Sequence, residues 1–103
     1  MIFIETSIFT RLVQELLSDD EYRELQSALI QRPDLGAIIQ GSGGLRKARW
    51  SLPGRGKSGG ARVIYYLVSQ EKILMVFIYP KGKQDDLTAE QLKRLRKIIE
   101  EGR

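Results

Sequence analysis

Histidine and cysteine are both absent from this chain. Their absence excludes metal sites built on those ligands, thiol nucleophiles, disulfides and every imidazole-based acid–base scheme. A site made of carboxylates alone is not excluded, but no motif supports one. Long apolar runs are missing too, and no stretch approaches the 18 or more residues of a membrane span. The opening segment, MIFIETSIFTRLVQELL, has no basic leader and is interrupted by Glu5, so a secretory signal is not expected. Together these absences predict a cytoplasmic protein that needs no cofactor.

What is present is ordinary globular composition, 42% hydrophobic and 29% charged over 103 residues. The length suits a single domain spanning residues 1–103. A chain of this size buries about 60–65% of its unfolded surface and does not need a metal or a disulfide to fold.

The charge is unevenly placed. Residues 1–45 carry three basic and seven acidic side chains. Residues 46–83 carry Arg46, Lys47, Arg49, Arg55, Lys57, Arg62, Lys72, Lys81 and Lys83 against Glu71 alone. Residues 84–103 carry five of each sign. A formal excess of +8 within one block favours a polyanion surface, most naturally nucleic acid. The plainer alternative is a solvated basic face.

Hydrophobic periodicity outlines the elements. Ile2-Phe3-Ile4 predicts a strand over 2–5. Thr6 or Ser7 can cap a helix whose stripe is Phe9, Leu12, Val13, Leu16 and Leu17. Ser18 and Glu21 fit a capping box for a second helix, which Pro33 ends at about residue 32. Residues 33–44, with four glycines, read as a loop anchored by Ile38-Ile39. LRKARW predicts a strand over 45–50, and SLPGRGKSGG a flexible basic turn. ARVIYYLV, β-branched and aromatic, is the strongest strand signal. ILMVFIY predicts an interior strand over 73–79 that Pro80 ends. Thr88 to Gln91 cap a last helix with Leu92, Leu95, Ile98 and Ile99 on its apolar face. The expected fold is α+β, in the order βαα-βββ-α. The later strands form an antiparallel meander, and the helices leave one sheet face partly open.

Alternation along strands sorts the charges. Lys47 and Arg49 share a face. Arg62 shares one with Ile64, Tyr66 and Val68. Tyr79 is expected beside Ile73, Met75 and Phe77. A meander gathers Arg49, Lys57, Arg62, Tyr79 and Lys81 at one sheet edge. Such a cluster can bind a phosphate and stabilise charge building at phosphorus. RNA carries its own nucleophile, the 2′-hydroxyl, so an enzyme that aligns and neutralises needs neither metal nor histidine. A lysine held partly neutral by cationic neighbours, Tyr79, or one of Glu71, Asp85 and Asp86 would move the protons; the sequence does not choose among them. Arg46 alternates away from Lys47 and reads as an exposed strand residue. Trp50 reads as packed against a helix. Of Tyr65 and Tyr66, one is expected in the core and the other along the cleft.

The element order, the pair LRKARW and GGARVIYYLV, and the run VFIYPKGKQDDLTAEQ resemble the RelE/ParE toxin superfamily over essentially the whole chain. The likeness is strongest to its HigB/RelE-like branch. The resemblance implies a toxin of a type II toxin–antitoxin module. Such toxins enter the ribosomal A site, against 16S rRNA, and cut mRNA there with the 2′-hydroxyl as nucleophile. It matches Lys47 and Arg49 to the family's two basic residues on the second strand, with Arg49 nearer the scissile phosphate. It matches Arg62 to the phosphate-stabilising arginine, and Lys81 or Lys83 to the basic residue after the fourth strand. The family's stacking tyrosine has no counterpart, since Leu87 stands in that region. Lys57 lacks a firm counterpart and is expected to hold an RNA backbone near the active site. Arg46, Arg55 and Lys83 complete, with Lys47, the expected RNA-binding set. The implied partner is a cognate antitoxin, a helix-turn-helix DNA-binding protein with an acidic or amphipathic inhibiting segment. Two other functions compete with this one: a ParE-like gyrase inhibitor and a non-catalytic nucleic-acid binding module.

Overall fold

The computed structural model describes residues 1–52 and 60–101. Among the described residues the chain runs β1 (Ile2–Glu5), α1 (Ser7–Leu16), α2 (Asp19–Gln31), β2 (Ala37–Ile38), β3 (Leu45–Trp50), β4 (Ala61–Ser69), β5 (Lys72–Pro80) and α3 (Ala89–Glu101). The architecture is the expected α+β one. The sheet order is β1-β5-β4-β3-β2. β3, β4 and β5 form the antiparallel meander, and β1 lies parallel to β5. β5 therefore has a neighbour on each side, which explains its nearly unbroken apolar sequence.

Caps set the helix starts. Thr6 caps α1: its Oγ1 accepts from the Phe9 N–H at 3.1 Å and donates to the Val76 carbonyl at 2.8 Å. The cap thus ties the first turn of α1 to β5. Ser18 and Glu21 form the expected reciprocal capping box of α2. Asp19, Asp20 and Glu21 also place negative charge against that helix's positive end. At α3, Thr88 Oγ1 accepts from the Gln91 N–H and Gln91 Oε1 accepts from the Thr88 N–H.

Helices cover both faces of the sheet, which corrects the expectation of one open face. Phe9, Val13, Leu17, Leu25 and Leu29 of the helical hairpin pack on Ala48, Val63, Tyr65, Ile73, Met75 and Ile78. Trp50 packs against this cluster, as expected. On the other side Leu95 and Ile99 of α3 pack on Leu45, Ile64, Val76 and Tyr79. The apolar stripe of α3 is what carries it onto this second face.

The 33–44 segment contains β2, which the four glycines hid. Ala37 pairs with Lys47 and Ile38 with Arg46. Gly36 permits the approach: a Cβ there would lie 2.8 Å from the Lys47 carbonyl carbon. Gly44, at φ +114°, has the Tyr66 ring where a Cβ would be. Both positions demand glycine for a stated steric reason.

A second correction concerns β5. Ile64 pairs with Phe77 and Tyr65 with Met75, so Val76 is an extra residue, a β-bulge. The bulge shifts the alternation. Tyr79 shares the α3 face with Leu74, Val76 and Phe77, while Ile73 and Met75 point to the helical hairpin. Strict period-two reading cannot see such an insertion.

Candidate functional site

Arg49, Arg62 and Tyr79 form one row across three strands. Arg49 is the register partner of Arg62, and Arg62 of Tyr79. Directly opposed residues of an antiparallel pair lie about 4.5–5.5 Å apart at Cα and share a face. Two arginines so placed repel each other, and like charges directly opposite destabilise a sheet. Among the described residues neither arginine forms an ion pair. An anion between them would relieve the repulsion, and their planar forks suit phosphate oxygens.

Tyr79 closes the row at the β5 end. It is only 4% exposed, and its hydroxyl donates to the Asp85 carbonyl at 3.4 Å. Burial pushes the phenol up. Asp86 and Asp85 add to this, and Arg62 opposes it. The hydroxyl therefore keeps its proton at neutral pH.

Lys47 stands on the same face as Arg49, two residues earlier on β3. Its ammonium pairs with Asp86 Oδ1 from the loop between β5 and α3. The Lys47 hydrogen bond and charge hold the Asp86 carboxyl below its ordinary value, and Arg49 and Arg62 lower it further. The loop is pinned by Gln84, whose side-chain amide donates to the Asp86 carbonyl and to Gln91 Oε1, both at 2.8 Å. Sequence reading named Asp86 only as one of three candidate carboxylates. A DD pair before a helix cap carries no local signal of a lysine 39 residues away.

The remaining residues separate clearly. The Lys81 N–H donates to the Gly60 carbonyl at 2.9 Å, continuing the β4–β5 ladder beyond the Ala61–Pro80 pair. Lys81 thus sits at the strand ends that carry Arg62 and Tyr79. Lys83 is exposed in the following turn. Arg46 is not part of the row. It points to the opposite face, where it is half-buried and donates to the Gly36 carbonyl at 2.8 Å. The exposed strand residue expected there is instead a tether for the β2 turn. Tyr65 is fully buried, accepting from the Gly36 N–H and donating to the Pro33 carbonyl. Tyr66 packs into the cluster under α3 and does not line the cleft. Arg55 and Lys57 lie outside the described residues.

A groove of about 600 Å³ opens beside the row. Leu35, Ile38, Ile39, Leu87 and Leu92 line it with aliphatic surface, and Lys47, Arg49 and Asp86 supply its charges. Its wall depends on β2, so sequence reading missed the groove together with the strand.

The cationic row lies across antiparallel strands of a small α+β domain, with a helix packed on the same face and a groove at its side. Residues 2–101 match the family described as the RelE toxin of the RelE/RelB toxin–antitoxin system. The chain belongs to the RelE toxin family, and it is a toxin of the toxin–antitoxin kind.

Proposed function

We propose that this toxin is a metal-independent endoribonuclease that cuts mRNA in the ribosomal A site. The observation that carries the reading is the register of Arg49, Arg62 and Tyr79 across three adjacent strands. Arg49 and Arg62 would hold the non-bridging oxygens of the scissile phosphate. Their charge rises in value as the phosphorus becomes pentacovalent, which is the condition for catalysis rather than mere binding. The substrate's 2′-hydroxyl gives up its proton as its oxygen attacks phosphorus, the bond to the 5′-oxygen breaks and that oxygen takes up a proton, and the products end in a 2′,3′-cyclic phosphate and a 5′-hydroxyl. Tyr79 would turn its hydroxyl proton from the Asp85 carbonyl, a contact of 3.4 Å, to the phosphate, and Lys81 would add charge at the leaving side. Lys47 and Lys83, with Arg55 and Lys57, would meet RNA backbone of the message or of 16S rRNA.

The cognate antitoxin would be a helix-turn-helix DNA-binding protein whose inhibiting segment is acidic, because the surface to be covered carries the basic block. The discriminating experiment is induced expression of the wild type and Arg62→Ala, with 5′ ends mapped on translated and untranslated copies of one message. Codon-phased cuts that require translation and vanish in the variant support the reading. Growth arrest with intact mRNA, equally strong in the variant, overturns it and favours a protein target such as gyrase.

A further inference from the structure

The ion pairs Arg23–Asp20, Arg94–Glu90 and Arg96–Glu100 each lie within one helix. Lys47–Asp86 differs. Between described residues it alone joins two elements, a strand and the loop that leads into α3. Its members are unequal. The Lys47 side chain is 20% exposed and that of Asp86 73%. The lysine is the more buried partner at the groove, and the carboxylate faces water.

We propose that Asp86 occupies a second phosphate subsite at Lys47 in the free protein and yields it to a neighbouring phosphate of the RNA. The inference rests on the reading of Arg49 and Arg62 as the seat of the scissile phosphate. Lys47 and Arg49 are two residues apart on one strand face, a separation of about 6.6–7 Å along β3. That matches the spacing of neighbouring phosphates on a nucleic-acid strand. Lys47 and Arg49 both line the groove, so the two subsites are continuous. The carboxylate at Lys47 is also under the influence of Arg49 and Arg62, so it lies along the path an RNA backbone would take. Gln84 holds the loop so that the carboxylate is delivered to this place. An exposed ion pair of this kind is weak and exchanges readily for a phosphate that brings counterion release with it. Asp86 therefore acts as an internal competitor, which lowers affinity for RNA that does not engage the whole row.

The test is a binding cycle on a single-stranded oligoribonucleotide made uncleavable by 2′-deoxy substitution, read by fluorescence anisotropy across a salt series. Asp86→Asn is expected to bind about two- to fivefold tighter than wild type. Lys47→Gln is expected to bind more weakly and to reduce the magnitude of the log–log salt slope by about 0.7, one single-strand phosphate. In the Lys47→Gln background, Asp86→Asn should add nothing. No gain from Asp86→Asn, an equal gain without Lys47, or an unchanged salt slope in Lys47→Gln each overturns the proposal. Intact mRNA after expression of the wild type would sink the nuclease reading separately, without altering any of these binding outcomes.

Discussion

Arg49 and Arg62 face each other as register partners on adjacent antiparallel strands. The pairing sets two arginines directly opposite in the sheet, neither in an ion pair among the described residues. Such an arrangement favours an anionic ligand over the empty site. It predicts a trade between stability and function. Replacing Arg62 with Ala should leave the fold intact and raise stability slightly, by about 0.2–1 kcal/mol, through lost repulsion. The same change should reduce mRNA cleavage by about a hundredfold or more. Thermal denaturation and a cleavage assay on the same preparation check both halves. A variant that unfolds would show that the arginine is structural.

Tyr22 links α2 to the first strand. Its hydroxyl donates to Glu5 Oε2 at 2.6 Å, and Thr10 Oγ1 donates to Glu5 Oε1 at 2.6 Å. Tyr22→Phe removes one charge-assisted bond and should destabilise by about 1–2 kcal/mol, read by urea denaturation, with cleavage unchanged.

The same phenol makes stability depend on alkali. Burial, then the Glu5 hydrogen bond and charge, push the Tyr22 pKa well above its ordinary value. Burial is also the main cause of the rises at Tyr65 and Tyr79. A raised folded-state pKa contributes stability that is fully present below the unfolded value of about 10 and is lost as pH rises toward the folded value. Stability should therefore fall above pH of about 10, and less steeply in Tyr22→Phe. Denaturation midpoints across alkaline pH measure this.

Gly36→Ala should be among the most damaging small changes. The added methyl would meet the backbone of Lys47 and Ala48 at 2.8–2.9 Å. The strand pair cannot give way as a flexible side chain could, so the expected loss is about 1–3 kcal/mol. Because β2 walls the groove, RNA binding should weaken as well. Thermal denaturation with a binding titration distinguishes this from a harmless substitution.

Most elements were legible in sequence because each had a local cause. The Ser18–Glu21 box, the Thr6 cap, Pro33 and Pro80 mark element ends through short-range chemistry. The clustering of Arg49, Arg62 and Tyr79 followed from the meander. Four features were not legible. β2 is held by pairing with β3 rather than by its own residues, and Gly36 serves close approach rather than a turn. The Val76 bulge exists only in the pairing of β5 with β4. Asp86 meets Lys47 only because β5 and its loop return beside β3. The place of α3 on the second face likewise depends on which surface the helical hairpin has already covered.

The most direct test uses purified toxin and ribosomes programmed with mRNA, comparing an all-ribose message with one carrying a single 2′-deoxynucleotide at the cleaved position. The account predicts cleavage of the first to a 2′,3′-cyclic phosphate and a 5′-hydroxyl, no cleavage of the second, and loss of the first in Arg62→Ala. Cleavage of the deoxy-substituted message, or full activity in Arg62→Ala, would contradict it.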